Sequence, residues 1–127
     1  MGGSKLTATG LSTNPPPRFG YALSLNNAGT VLAVGAPFDG TTDGSTIYRN
    51  GQVVIFRLSG NIWTEDAIFQ GSPLVPSFEQ GLGNFSGFGY VVALNAAGDL
   101  AVVSAPGEWK NISVNYRDIF MYTDACI

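Results

Sequence analysis

The sequence predicts an all-β protein built from four-stranded antiparallel sheets, and three observations support this fold class. The 17 glycines and 7 prolines are dispersed along the 127 residues, as expected for many short strands joined by tight turns. Hydrophobic residues make up 45% of the chain, which is enough for a packed core, whereas charged residues make up only 12%. Residues 19–37 also align without a gap on residues 88–106, so the chain contains a duplicated structural unit.

The duplicated unit begins with a predicted strand and a turn. In the first copy Tyr21, Leu23 and Leu25 alternate with smaller or more polar residues, which is the two-residue period of a strand with two different faces. Residues 26–29, Asn-Asn-Ala-Gly, tolerate positive φ and therefore favour a reversal of the chain. Residues 95–98, Asn-Ala-Ala-Gly, predict the same turn in the second copy.

A second predicted strand follows each turn. Residues 30–36 are apolar on both faces, which is typical of a strand buried between neighbours. Pro37 marks the end of this strand, because proline cannot donate a hydrogen bond to a ladder. Residues 100–105, followed by Pro106, repeat the pattern in the second copy.

The first copy continues with two more predicted strands. Residues 51–58 predict a third strand and residues 62–69 a fourth, joined by a short turn at 59–61. Residues 38–50 are predicted as a polar loop between the second and third strands. Four consecutive antiparallel strands form one blade of a β-propeller.

The second copy is shorter than the first. It has a predicted third strand at residues 117–122, and no fourth strand follows before Ile127. Residues 5–8 are similar to a fourth strand that belongs to a preceding blade. We therefore expect about one and three-quarter β-propeller blades of an incomplete ring. The predicted units are an N-terminal segment at 1–18, a first blade at 19–70, an inter-blade connection at 71–87 and a second blade at 88–127.

These features together resemble the FG-GAP repeat of integrin-like β-propellers. The pattern runs from Phe-Gly-Tyr to an apolar run ending in Gly-Ala-Pro, or Ser-Ala-Pro in the second copy, and then to Gly-Gln-Val-Val-Ile-Phe. The Ser-Gly-Asn-Ile-Trp-Thr segment is more similar to the repeats of bacterial, algal and large-virus proteins than to those of animal integrins. The residues that carry the signature are Phe19, Gly20, Gly35, Ala36, Pro37, Phe88, Gly89, Ser104, Ala105 and Pro106.

The resemblance implies a propeller that serves adhesion, ligand binding or assembly at an extracellular, cell or virion surface. Integrin repeats also carry an Asp-rich calcium loop after the first strand, because Ca²⁺ prefers several carboxylate ligands. Residues 26–30 and 95–99 hold at most one carboxylate each, so the turn sequences do not support calcium and no cofactor is predicted. Residues 39–44 are predicted as a turn, with a metal loop as the lesser alternative.

The composition argues against catalysis, nucleic-acid binding and membrane insertion. The chain has no histidine, which removes Ser-His-Asp and Cys-His catalysis and the commonest zinc ligand. Glu65 and Asp66 are neighbours on a predicted strand, so they point to opposite faces. Six Lys and Arg residues and a net charge of −3 do not supply a basic patch for nucleic acid. No apolar run approaches the ~20 residues that span a bilayer. The sequence therefore predicts a non-enzymatic binding or structural module.

Candidate ligand-binding residues lie in the predicted loops 38–50 and 107–116. Their side chains favour interface anchoring and sugar stacking, although packing over the blade edges is an alternative use. These residues are Tyr48, Arg49, Trp109, Lys110 and Tyr116. Asn84 and Asn111 match the acceptor pattern for N-glycosylation.

The predicted partners are other propeller blades, from the same or a longer chain, or separate proteins. Open strand edges invite strand addition, so we expect residues 5–8 to pair with residues 117–122 of a neighbour. Two alternatives stay open. One is a lectin-like oligomer that binds a glycan through the loop aromatics, and the other is the regulatory propeller of a larger hydrolase.

Overall fold

The computed structural model describes residues 5–13, 17–43, 46–71, 85–106 and 118–123. This part of the chain consists of nine strands with their connections and contains no helix, so the predicted all-β class is confirmed. The strands, in chain order, are β1 (Ala22–Leu25), β2 (Val31–Ala36), β3 (Thr41–Asp43), β4 (Thr46–Ser59), β5 (Ile62–Gln70), β6 (Phe85–Phe88), β7 (Val92–Leu94), β8 (Leu100–Ala105) and β9 (Asp118–Thr123).

The first sheet contains the four antiparallel strands that the sequence predicts within residues 19–70. They are paired in the order β1, β2, β4 and β5. Gly35 of β2 lies opposite Ala22 of β1 and also opposite Val53 of β4, so β2 is enclosed by neighbours on both edges. The turn from β4 to β5 uses Gly60 at a φ of 62°, which glycine adopts without a Cβ clash.

The third predicted strand is longer than expected. β4 begins at Thr46 rather than Gly51, and β3 pairs with its first half, with Thr41 opposite Tyr48. The predicted loop at 38–50 is therefore largely a hairpin, because the threonine and isoleucine residues in this segment favour extended backbone. Gly40 permits the close crossing, since a Cβ there would lie closer to Tyr48 O than real Cβ atoms approach.

The strand β6 crosses the predicted boundary between the connection at 71–87 and the second unit. It pairs in parallel with β4, with Arg49 opposite Phe85 and Gly51 opposite Phe88. The two backbones come this close because Gly51 has a φ of 84° and no Cβ, which would collide with the backbone of Phe88. β6 thus ties the start of the second unit to the middle of the first sheet.

The second sheet contains β7, β8 and β9, paired antiparallel in chain order. Val92 lies opposite Val103, and Val103 lies opposite Phe120. These are the three strands that the sequence predicts for the second copy of the unit.

Residues 5–8, which are predicted as a strand, are paired with no strand in the described part of the chain. Their side chains nevertheless alternate as in a strand, since Leu6 and Ala8 are half-buried whereas Lys5 and Thr7 are exposed. A strand also requires ladder hydrogen bonds to a neighbour, and the alternation alone does not supply them.

Two apolar clusters lie on opposite sides of the first sheet. One joins the two sheets and contains Val31, Ala33, Val53 and Ile55 from the first sheet with Phe88, Val92, Val103 and Ala105 from the second unit. The other contains Val34, Val54 and Phe56, packed beneath Leu6, Ala8, Phe19, Leu32 and Trp63. The larger of these two clusters therefore lies in the contact between the two repeats.

Candidate functional site: the contact between the repeats

The strand register separates the first sheet into two faces. The inner face, turned to the second sheet, carries Ala22, Ser24, Val31, Ala33, Gly35, Val53 and Ile55. The outer face, on the opposite side, carries Leu23, Leu25, Leu32, Val34, Val54 and Phe56. Leu6 and Ala8 pack on the centre of the outer face, while Leu23 and Leu25 at its edge are 63% and 55% exposed. The outer face therefore keeps large apolar side chains in contact with solvent.

The turn of the second copy packs on the turn of the first. Asn27 N–H donates to Ala96 O at 3.0 Å, and Asn26 Nδ2 donates to Ala97 O at 3.4 Å. Gly98 makes room for this contact, because a Cβ there would lie 3.0 Å from the Cβ of Asn26. The two copies are thus joined by polar contacts as well as by the apolar core.

Each of these turns is closed by its first asparagine. Asn26 Oδ1 accepts from the N–H groups of Thr30 at 2.8 Å and Val31 at 2.9 Å. Asn95 Oδ1 accepts from Asp99 N–H at 3.0 Å and Leu100 N–H at 3.1 Å. The asparagine oxygens at these positions are therefore engaged in Asx-type turn bonds.

The backbones of the two copies meet at Gly35 and Gly89. A Cβ on Gly35 would lie closer than 3.0 Å to Gly89 O, a separation that real Cβ atoms essentially never show. Gly89 itself has a φ of 92° and donates its N–H to Ser104 O at 3.0 Å. The carbonyl of Gly89 is therefore held in place against the inner face.

Nine of the ten signature residues are buried or half-buried. Gly20 N–H donates to Gly35 O at 3.1 Å, which is the counterpart of the bond from Gly89 to Ser104. Phe19 meets Phe56 edge-on, with 6.1 Å between the ring centroids. Of the ten, Gly35, Ala36, Pro37, Phe88, Gly89 and Ala105 are buried, Phe19, Ser104 and Pro106 are half-buried, and Gly20 is exposed.

A tyrosine from each copy meets at the edge of the contact. Tyr21 Oη donates to Tyr90 Oη at 3.0 Å, their ring centroids are 5.0 Å apart, and the two residues are 69 positions apart in sequence. The hydrogen bond to Tyr90 raises the pKa of Tyr21, with smaller contributions from burial and from the Tyr90 charge, while Arg18 acts in the opposite direction. The sequence analysis did not predict this pair. Tyr21 and Tyr90 occupy the same position in the two copies of the repeat, and this correspondence is the signal that could have indicated their contact.

Replacing Tyr90 by phenylalanine should lower the pKa of Tyr21 towards its ordinary value, because the variant removes the hydrogen-bond acceptor. A raised pKa means that the folded state holds this proton more tightly than the unfolded state. The pair therefore stabilises the fold fully below pH about 10, and its contribution is lost as the pH rises further. An NMR titration of ring-labelled tyrosines measures the shift. Tyr48→Phe is the matched control, and an unchanged Tyr21 pKa in Tyr90→Phe would contradict the assignment.

A polar cavity of about 240 Å³ lies beside the N-terminal segment. Asp39, which is 6% exposed, accepts from Ser12 N–H at 2.7 Å through Oδ1, and its backbone oxygen accepts from Gly51 N–H at 2.9 Å. Asp39 thus ties residues 10–12 to β4, a structural use within the segment predicted as a turn. The cavity is lined by Gly10, Leu11, Ser12, Asp39, Gly40, Asn50, Gly51 and Gln70.

The acidic residues of the first sheet have separate partners. Glu65 accepts from Thr9 N–H at 2.6 Å and from Thr9 Oγ1 at 2.8 Å. Asp66 forms an ion pair with Arg57, with 2.7 Å between Oδ2 and Nε. Across the described ranges, no three side chains of His, Cys, Asp or Glu come together in a way that could hold a metal ion.

The predicted ligand-binding residues are only partly placed. Tyr48 and Arg49 lie next to each other on β4, within the hairpin rather than in a loop, and both are half-buried. Trp109, Lys110 and Tyr116 lie outside the described residues, as do the glycosylation candidates Asn84 and Asn111. Of the five predicted residues, the described ranges therefore place only Tyr48 and Arg49, side by side on β4.

No family model, curated protein or solved structure matches this chain. In the part of the chain that the structure describes, no helix is long and apolar enough to cross a membrane.

Proposed function

We propose that the chain is a non-enzymatic structural and binding module of the FG-GAP type. In this proposal its two sheets are consecutive blades of a larger β-propeller used in adhesion or in the assembly of a cell or virion surface. The partners are further blades of the same kind, from the same or a longer chain. The support comes from how the two repeats contact each other.

The observation that carries the proposal is that the two repeats use different faces in their contact. The repeat makes Val92 the counterpart of Leu23 and Leu94 the counterpart of Leu25. Val92 is 7% exposed and lies in the core between the sheets, whereas Leu23 is 63% exposed. The second sheet thus docks with the face that corresponds to the outer face of the first. A contact between unlike faces can be repeated indefinitely, or closed into a ring, by adding equivalent units.

The N-terminal segment supports the same arrangement. Leu6 and Ala8 pack against the outer cluster of the first sheet, together with Phe19. Ala67 and Phe69, on the last strand of the first sheet, pack in the corresponding way against the cluster that contains Phe88. Residues 5–8 therefore lie against the outer face of the first sheet, while β5 adds Ala67 and Phe69 to the inner face on which the second unit packs. This is the placement expected of the last strand of a preceding blade.

A chain that carries residues 19–87 twice in tandem tests the proposal. The added repeat should stack between the existing units. Its outer face should pack on the inner face of the first copy, and its inner face should pack on the second unit, as in the observed contact. We expect one cooperative urea transition with a larger m-value and a higher free energy of unfolding than the parent chain.

The control places Leu23→Glu in either tandem copy. In the second copy this side chain should be buried against the first copy, and the buried charge should cancel the gain in stability. In the first copy it should stay exposed and have little effect. Separate unfolding of the added repeat, or equal effects of the two substitutions, would count against a stacked-blade function. The glycan-binding alternative stays a prediction, because three of its five loop residues lie outside the described ranges. The hydrolase-regulating alternative also stays a prediction, because it names no residues that the described ranges could test.

A further inference from the structure

We infer that the outer face of the first sheet docks a further repeat that carries glycine at the position of Gly35, and that Ser104 excludes a second copy of this chain from that place. This inference rests on the proposed function. It adds a condition that a partner repeat must meet to dock on the outer face, which is glycine at the position of Gly35.

The outer face is the counterpart of the contact already seen, and among the described residues it is covered at its centre by residues 5–8 and has no sheet against its edge. Gly98 is buried against the turn at Asn26, whereas nothing lies within 4 Å of the Cβ position of Gly29, its counterpart. The same difference separates Gly89, which is packed against Gln52 and Val53, from the exposed Gly20. The first repeat thus has the same glycine positions with which the second repeat docks. In the described residues, no sheet packs against these positions in the first repeat.

A backbone carbonyl also takes part in this contact. Gly89 O sits against Gly35, and a Cβ on Gly89 would lie 2.7 Å from Gln52 O in the same sheet, so the backbone of Gly89 lies directly against β2 and β4. Gly20 has nearly the same backbone angle, with a φ of 91° compared with 92° for Gly89. Its N–H donates to Gly35 O as Gly89 N–H donates to Ser104 O. An incoming sheet will therefore meet the carbonyl of Gly20 at the point where the first sheet has Gly35.

In the described part of a second copy, the inner face of the first sheet is already packed against the second unit, so the sheet left to dock in the same geometry is the second one, through the face that carries Val91, Val102 and Ser104. Ser104 is the counterpart of Gly35, so its Cβ would meet the Gly20 carbonyl inside the separation that Cβ atoms essentially never show. The Ser104 side chain is also fixed, since its Oγ accepts from Val91 N–H at 3.0 Å. The Gly-Ala-Pro and Ser-Ala-Pro forms of the repeat thus distinguish a sheet that can accept a neighbour from one that cannot.

This rule names a different partner from the one that the sequence predicts. Pairing of residues 5–8 with residues 117–122 of a neighbour would bring that neighbour's second sheet onto the outer face. Ser104 opposes this approach. We therefore assign the outer face to a different repeat, one with an apolar inner face and glycine at the Gly35 position.

Ser104→Gly tests the inference on the full chain. The variant gives the second sheet the glycine that the rule requires, so copies should associate head to tail. Sedimentation equilibrium should show a concentration-dependent rise in mass above the 13.3 kDa of one chain. Ser104→Ala removes the same hydroxyl but keeps Cβ, and it should behave like the parent chain. Adding Leu23→Glu to Ser104→Gly should abolish the association, because it places a charge in the new contact.

Two outcomes would overturn the inference. One is a Ser104→Gly variant that keeps a native circular dichroism spectrum and does not associate. The other is a parent chain or Ser104→Ala variant that associates as strongly as Ser104→Gly through a contact abolished by Leu23→Glu. Neither outcome bears on the proposed function. The tandem chain tests that function separately, because both of its contacts between repeats have glycine at the Gly35 position and do not depend on Ser104.

Discussion

Gly35→Ala should destabilise the protein by about 3 kcal/mol, because a methyl group cannot be accommodated between β2 and the carbonyl of Gly89. The backbone of Gly89 is held by its hydrogen bond to Ser104 O and lies directly against the first sheet, so the added methyl group would collide with backbone atoms and not with the end of a flexible side chain. A loss of this size is a large part of the roughly 5–15 kcal/mol that stabilises a typical domain. Urea unfolding followed by circular dichroism measures the change in the free energy of unfolding.

Gly10→Ala is the matched control for this prediction. The Cβ of residue 10 would find its nearest neighbour, Ile68 Cδ1, at 3.6 Å, which is an ordinary van der Waals contact. We therefore expect little or no destabilisation from Gly10→Ala. Equal effects at positions 10 and 35 would show that the loss comes from replacing glycine in general and not from the contact between the repeats.

The strands that the sequence predicted well are those with a strong local signal. Alternation at Tyr21, Leu23 and Leu25, and the turn at 26–29, predicted β1 and β2, because side-chain period and turn chemistry depend on neighbouring residues only. The duplication then carried the same prediction to β7 and β8. β3 and the start of β4 were missed, because a polar, Thr-rich segment was interpreted as a loop.

The missed features depend on contacts between distant residues. β6 is a strand because it pairs in parallel with β4, and the close approach at Gly51 has no periodic signature in either segment. The glycine contact at Gly35 and Gly89 likewise follows from sheet packing. The repeat alignment marked both as signature positions, but alignment alone does not say that they meet each other. Function was less accessible still, because the proposed site is a sheet face and not a motif.

Phe88→Ala should have a comparable or larger effect, a loss of about 3–5 kcal/mol in the free energy of unfolding. The Phe88 side chain is 0% exposed, and it lies in the core that joins the two sheets. Its removal leaves a cavity at the contact on which the second sheet depends, because that sheet has only three described strands and one packed face. Urea unfolding gives the loss, and hydrogen exchange should show that amides of β7 and β8 lose protection before those of β2.

Phe19→Ala provides the internal comparison, since Phe19 occupies the same position in the first copy. It is only half-buried, and it packs on Phe56 at the outer face, where the described chain has no second sheet. Truncation there should cost less than about 3 kcal/mol, because less apolar surface returns to water. In the tandem chain, however, Phe19 of the second copy takes the place that Phe88 has here, and the cost of its truncation should rise to the Phe88 value. If Phe19→Ala lowered the free energy of unfolding equally in the parent chain and in the second copy of the tandem chain, no sheet would be docked over Phe19 in the tandem chain. The stacking argument would then fail.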